Sequence, residues 1–213
     1  MLTLHEYSPS QNAWKVRVLL GLLGISYRTR AVAIFGGESR TEAFLKMNPA
    51  GAIPVLELED ERAIAESNAI LCYLAEGTRF LPPDNSGDRF ARAKVMQWLF
   101  FEQYHVEPMI GSLRFWTLAG RLERNAALVE SKWENGVRAL AALQRTLGQG
   151  APFLGGDRFT IADLAVYAYG HLAEDCGFAL SAYPAVTAWI ARVAAEIGAG
   201  YPVIPYGPEA RPA

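Results

Sequence analysis

Ile53-Pro54-Val55-Leu56-Glu57-Leu58-Glu59-Asp60-Glu61-Arg62-Ala63-Ile64-Ala65-Glu66-Ser67-Asn68-Ala69-Ile70 is the stretch that decides the fold. Pro54 to Leu58 reads as a short strand, since proline is tolerated at a strand's first residue. Asp60-Glu61 is a turn, and Ala63-Ile64 returns. Glu66 to Glu76 is then a helix, with Ile70, Leu71 and Leu74 at core spacing. Upstream, Leu2 to Glu6 alternates as a strand, and Ala13 to Leu23 is a helix that Gly24 stops. Tyr27 to Val32 is β-like and Thr41 to Met47 helix-like. The order β-α-β-α-β-β-α is that of an α/β unit.

Downstream the texture changes. Gly77 to Gly87 holds Pro82-Pro83-Asp84-Asn85 and reads as a turn-rich linker. Everything after it is helical. Arg89 to Leu118 is one long periodic segment that must tolerate Pro108 and Gly111, so a kink is expected there. Glu123 to Leu147, Ile161 to Cys176 and Pro184 to Ile197 follow, the last with proline near its first position. From Gly198 onward the tail is rich in Pro and Gly and should be irregular. The expected division is an α/β domain over residues 1–78, a linker at 79–87 and an all-helical domain over 88–213.

Composition narrows the function. The 213 residues carry 20 Lys+Arg against 22 Asp+Glu, a net charge of −2, which lacks the basic excess that displaces counterions from nucleic acid. Hydrophobic residues at 51% suit a packed globular protein rather than a disordered one. Cys72 and Cys176 lie far apart, which excludes a disulfide scaffold, a CxxC redox pair and a multi-thiolate zinc site. His5, His105 and His171 show no metal-ligand spacing. No signal peptide is read at the N-terminus, and the apolar stretch Val16 to Ile25 is about half the length a membrane span needs. The expected setting is the cytoplasm.

Four local patterns carry chemistry. In Phe159-Thr160-Ile161-Ala162-Asp163, Thr160 caps a helix, Asp163 reaches back to the cap amide, and Phe159 staples over Leu164. Alone this is a folding signal, and losing such a cap costs about 0.5–2 kcal/mol. Ala52-Ile53-Pro54-Val55 alone is a proline opening a strand, and the residues give no reason to expect a cis bond. Glu66-Ser67-Asn68 offers amides and a hydroxyl at a helix start, either as an ordinary cap or as a carboxylate holder. Tyr7-Ser8-Pro9-Ser10-Gln11-Asn12 links the first strand to the first helix. Its hydroxyls are turn residues or anion stabilisers at a strand end where α/β sheets place ligands.

Taken together these patterns resemble a glutathione transferase of the bacterial theta-like and Nu-like kind, a thioredoxin-like N-terminal domain followed by an all-helical C-terminal domain. The resemblance rests on Asn48-Pro49-Ala50-Gly51-Ala52-Ile53-Pro54-Val55-Leu56, on Ala65-Glu66-Ser67-Asn68-Ala69-Ile70 and on the Phe159 to Asp163 box, in that order and spacing. Ser10-Gln11-Asn12-Ala13-Trp14-Lys15 is similar to the first loops of theta-like and Nu-like members. Phe101-Glu102-Gln103-Tyr104 and Phe115-Trp116 resemble segments of a bacterial subgroup.

The resemblance implies glutathione as co-substrate, no metal, and a thiolate that attacks a small hydrophobic electrophile. A thiol near its ordinary pKa of about 8.5 needs help to ionise at neutral pH. Ser10 matches the hydroxyl donor and Asn12 a second donor to the same sulfur, with Tyr7 as rival and Ser8 behind it. Glutathione is then held by the backbone of Ile53 before Pro54, which the family keeps cis, by Ser67 at the γ-glutamyl carboxylate and by Glu66 at its ammonium. Ala52 stands where the family often has a basic residue for the glycyl carboxylate, and Arg40, next to Ser39, is the substitute. Phe35, Tyr104, Met109, Phe115 and Trp116 are the expected electrophile contacts, between the domains. A homodimer, binding neither nucleic acid nor membrane, is implied. Two alternatives stay open, a glutathione-dependent disulfide reductase and a glutathione-transferase-like module without turnover.

Overall fold

Strand β1 (Leu2–Glu6) runs parallel to β2 (Tyr27–Ala31) and antiparallel to β3 (Val55–Glu57), which pairs antiparallel with β4 (Ala63–Ala65). The sheet order is β2-β1-β3-β4. The computed structural model describes residues 1–83 and 89–212. These fall into two units, Met1–Glu76 with Ala199–Pro205, and Gly77–Gly198 with Tyr206–Ala213.

In the first unit, α1 (Gln11–Leu22) connects β1 to β2, and α2 (Glu42–Met47) precedes β3. Two 3₁₀ turns, Ile34–Gly36 and Glu38–Arg40, lie between β2 and α2. Helix α3 (Ser67–Ala75) follows β4 and packs on α1. Thus the expected β-α-β-α-β-β-α order is the observed one. Helix α1 is buried at Ala13, Trp14, Val16, Val18, Leu19 and Leu20, almost all round, because sheet, α3 and tail leave it little solvent. The tail covers its end: the Trp14 indole donates to the Tyr201 carbonyl at 2.9 Å, and a Cβ on Gly21 would stand 2.0 Å from the Tyr201 hydroxyl.

In the second unit, the run from Arg89 to Leu118 is helical throughout, and around Pro108 and Gly111, where a kink is expected, the helix is π-wound. Helix α4 (Arg89–Phe101) passes into a π-helical segment, Glu102–Gly111, and then into α5 (Ser112–Leu118). Pro108 has no N–H to give, and the wider winding sets buried Glu102, Val106 and Ile110 four apart. Gly111 is small because a Cβ there would lie 2.7 Å from the Tyr169 ring. Helix α6 (Ala126–Leu147) follows a 3₁₀ turn at Glu123–Asn125.

Helix α7 (Ile161–Gly170) is apolar on every side and buried at every residue, with α4, the π segment and α8 (Pro184–Ile197) against it. It ends at Gly170, short of the expected Cys176. Leu172 leaves helical geometry, and a separate 3₁₀ turn, Ala173–Cys176, closes on Gly177 at φ 93°. The capping box is present. Asp163, fully buried, accepts from the Leu154 amide (2.8 Å) and Trp189 indole (2.9 Å) on Oδ1, and from the Thr160 amide (3.0 Å) and hydroxyl (3.2 Å) on Oδ2. Burial pushes its carboxyl above the usual range, and those four donors pull it back. The linker assigned to 79–87 falls partly on residues 84–88, outside the described residues.

Candidate active site

Pairing brings the distant motifs to one end of the sheet. His5 sits opposite Val55, and Val55 opposite Ala65. The residues after β1, before β3 and after β4 therefore leave the sheet on the same side. Those are Tyr7–Asn12, Ile53-Pro54 and Glu66-Ser67. Because β2 is parallel to β1, with Glu6 beside Ala31, the segment carrying Phe35, Ser39 and Arg40 leaves there too.

Ser10 is the N-cap of α1 and its hydroxyl accepts the Ala13 amide at 3.4 Å. Asn12, the second residue of the helix, accepts the Ser67 hydroxyl on Oδ1 at 3.1 Å. This bond ties the starts of α1 and α3 together across 55 residues of chain. Neither helix has an acidic residue in its first turn, although the Glu66 carboxylate stands at the N-cap of α3. Ser67 is buried, while Glu66 before it is exposed, held at φ 66° and makes no side-chain cap bond. That left-handed backbone costs a non-glycine residue on the order of 1–3 kcal/mol.

The Ile53–Pro54 bond is cis. Its approach is braced by Asn48, whose side chain donates to the Ala52 carbonyl (2.8 Å) and accepts the Ala50 amide (3.0 Å). Arg40 is exposed and donates to the Ala50 carbonyl at 2.9 Å. The preceding Ser39 is buried. Tyr7 meets Phe35 edge to face at 5.5 Å.

Under the Tyr7–Ser10 loop lies a charge pair that sequence reading missed. Arg17 Nη1 bonds Glu6 Oε2, Arg17 Nη2 donates to the Ser8 carbonyl at 3.0 Å, and the Ser8 hydroxyl donates to Glu6 Oε1 at 3.5 Å. Burial and the Glu6 charge raise the neighbouring Tyr27 phenol. The only signal in the sequence is an arginine within the apolar stretch Val16 to Ile25.

Of the expected electrophile contacts, Phe35 belongs to the first unit and the other four to the second. Tyr104 is 73% exposed and meets His105 edge to face, whereas Phe115 packs on Tyr206 and Trp116 lies under Lys132. A surface cavity of about 310 Å³ in the second unit is lined by Arg79, Phe153, Asp157, Arg158, Phe159 and Glu196, none of them expected ligand contacts. Burial, reinforced by Asp175, pushes the Cys176 thiol up to about 12, so it supplies no thiolate at neutral pH. Among the described residues, no cluster of three or more His, Cys, Asp or Glu is arranged to hold a metal ion, and no helix is long and apolar enough to cross a membrane.

This arrangement is that of the glutathione S-transferases. The family's N-terminal domain matches residues 9–76 and its C-terminal domain residues 126–192. The chain belongs to this family. It is 30% identical to maleylacetoacetate isomerase of Pseudomonas aeruginosa, over 94% of this chain and 92% of that one. It is 28% identical to the disulfide-bond oxidoreductase YfcG of Escherichia coli, over 91% of each. A crystal structure of a glutathione S-transferase from Pseudomonas fluorescens is 43% identical, with a TM-score of 0.85 over 91% of this chain and 94% of that one.

Proposed function

We propose that this chain binds glutathione at the shared sheet end, ionises its thiol, and transfers the sulfur to a small hydrophobic electrophile. The Asn12–Ser67 bond carries the reading, because it joins two helix starts, neither with an acidic residue in its first turn, at the sheet end where the other glutathione-binding candidates lie. Ser67 and the start of α3 take the γ-glutamyl carboxylate, with Glu66 at the ammonium. The backbone of Ile53 before Pro54 pairs with the cysteinyl part as a short added strand. Arg40 is the base available for the glycyl carboxylate, with part of its fork on the Ala50 carbonyl.

Ser10 and Asn12 stabilise the thiolate. The thiol loses its proton to water, the sulfur bonds the electrophilic carbon, and the leaving group departs with the bonding pair. Phe35, Tyr104, Met109, Phe115 and Trp116 are the candidates for receiving the electrophile. We assign residues 1–78 to glutathione binding, 79–87 to the linker and 88–213 to the helical domain. The setting is the reducing cytoplasm, which suits Cys72 and Cys176 as thiols outside any disulfide, and the working form is a homodimer.

A second reading, glutathione-dependent disulfide reduction, is favoured by the similarity to the Escherichia coli disulfide-bond oxidoreductase. Parallel assays with an aryl halide and with hydroxyethyl disulfide separate the two. The site itself is tested by variants. Ser10→Ala should lower kcat/KM at neutral pH by roughly 10–100-fold, as for one lost hydrogen bond to a charged group, with the loss shrinking at alkaline pH. Ser67→Ala should weaken glutathione binding, and should move the thiol's titration less than Ser10→Ala does, since its hydroxyl also holds the Asn12 side chain. If Tyr7→Phe removes the neutral-pH activity while Ser10→Ala matches the parent, the tyrosine is the activator and the serine assignment fails.

A further inference from the structure

We propose that Arg17 is a positioning residue for the thiol: its fork joins β1, α1 and the loop between them, and so places the Ser10 hydroxyl. The proposal rests on the transferase reading above, and deepens it by naming what holds that loop.

Glu6 ends β1 with its side chain 4% exposed, and Arg17 lies on the second turn of α1 with its side chain 14% exposed. Shielding both charges from water costs desolvation, and well-packed apolar residues of the same volume are often as stable or more so. Stability alone therefore does not call for an ion pair here. What the pair supplies is geometry. One nitrogen of the planar guanidinium holds the Glu6 carboxylate and another the Ser8 carbonyl at 3.0 Å. Glu6 is fixed from its other side, since its carbonyl accepts the Val32 amide at 2.7 Å.

Only Pro9 separates the held Ser8 carbonyl from Ser10, and its ring locks φ. Pro9 is buried, and its carbonyl accepts from the Gln11 side chain at 3.5 Å. The Ser10 amide in turn bonds the Tyr7 carbonyl at 2.9 Å. Little freedom remains between the Arg17 fork and the Ser10 hydroxyl. A lysine at 17 keeps the charge beside Glu6 but, as a point donor on a flexible stem, does not reproduce the two-armed hold.

The test is the ultraviolet titration of the glutathione thiol bound to the full chain. The parent should ionise it below the pH at which free glutathione does. Arg17→Lys should raise that midpoint by about one pH unit, a tenfold loss of thiolate near neutrality. Glutathione affinity, measured where the thiol is fully ionised or fully protonated, should stay within about threefold of the parent for the carboxylate contacts that Arg17 does not touch. In a Ser10→Ala background the same substitution should shift the midpoint by far less, since coupled residues are non-additive. Glu6→Gln, which keeps the side chain's shape and weakens the fork, should move the midpoint the same way and serves if Arg17→Lys fails to fold. A parent midpoint equal to that of free glutathione overturns the transferase reading and this proposal with it. A lowered parent midpoint that Arg17→Lys or Glu6→Gln leaves unmoved, or moves equally without Ser10, overturns the positioning role alone.

Discussion

Asp163 shows how much a single buried residue can do beyond its local motif. As a cap alone, its loss costs about 0.5–2 kcal/mol. The structure adds the Leu154 amide and the Trp189 indole to its partners, so Asp163→Ala strands several buried donors at once. With about 1–3 kcal/mol for each unsatisfied group and partial relief from water, about 3–5 kcal/mol is expected. Chemical denaturation measures it, and a loss under 1 kcal/mol would show the donors find other acceptors. His171 gives the second residue-scale expectation. Burial lowers its imidazole from 6.5 to about 4, and the nearby Arg114 charge acts the same way, while the Tyr167 carbonyl and Asp175 oppose it. A base depressed on folding contributes stability that is complete above its unfolded pKa and is lost as pH falls through the folded one. Its share should therefore fade between about pH 6.5 and 4, by roughly 3 kcal/mol at most. Melting temperatures across that window should fall less steeply for His171→Gln than for the parent. Equal slopes would mean that other groups set the acid limb.

Element by element, what the sequence discloses is what local chemistry controls. Ser10, Thr41 and Thr160 are hydroxyl caps beside apolar periodic runs, and α1, α2 and α7 begin immediately after them. Pro184 opens α8, and the four strands fall at the short β-like runs read from the sequence. The helix boundaries that were misjudged are those where packing overrides pattern. The π segment buries Glu102, Val106 and Ile110 at a spacing of four, which reads like an ordinary helical face in sequence. Ile161 to Cys176 keeps an apolar period beyond Gly170, yet the backbone turns there. Long-range polar contacts leave no periodic trace at all. Nothing local links Asn12 to Ser67, or marks Arg17 as the partner of Glu6, because a lone charged residue in a helix usually faces water. The tail is the same case: Gly and Pro announce irregular backbone, and not that Tyr201 occupies the space a side chain at Gly21 would fill.

At the scale of the whole molecule, the homodimer proposed above needs a surface for a second copy to cover. Family resemblance points to α3 and α4, and the side chains they leave exposed agree with that placement. On α4, Phe90 and Phe100 are 72% and 69% exposed, and Tyr73 on α3 is 50% exposed. With the exposed Ala93 and Gln97 the two phenylalanines fall at 90, 93, 97 and 100, steps of three and four that keep one line along α4. Scattered apolar residues on a surface need no account, but a line of large aromatics does, and aromatics are what interface cores enrich. A stable contact buries roughly 800 Å² per partner, under a tenth of the 10660 Å² this chain exposes. Phe100→Glu tests the line directly. In a two-fold contact the substitution enters twice, so two carboxylates replace two rings in the same dry patch. Sedimentation should give a parent at twice the 23.3 kDa chain mass and a Phe100→Glu variant that dissociates at micromolar concentration with its helical content intact. A parent that sediments as a concentration-independent monomer would remove the dimer. A variant that stays dimeric would move the contact to another face.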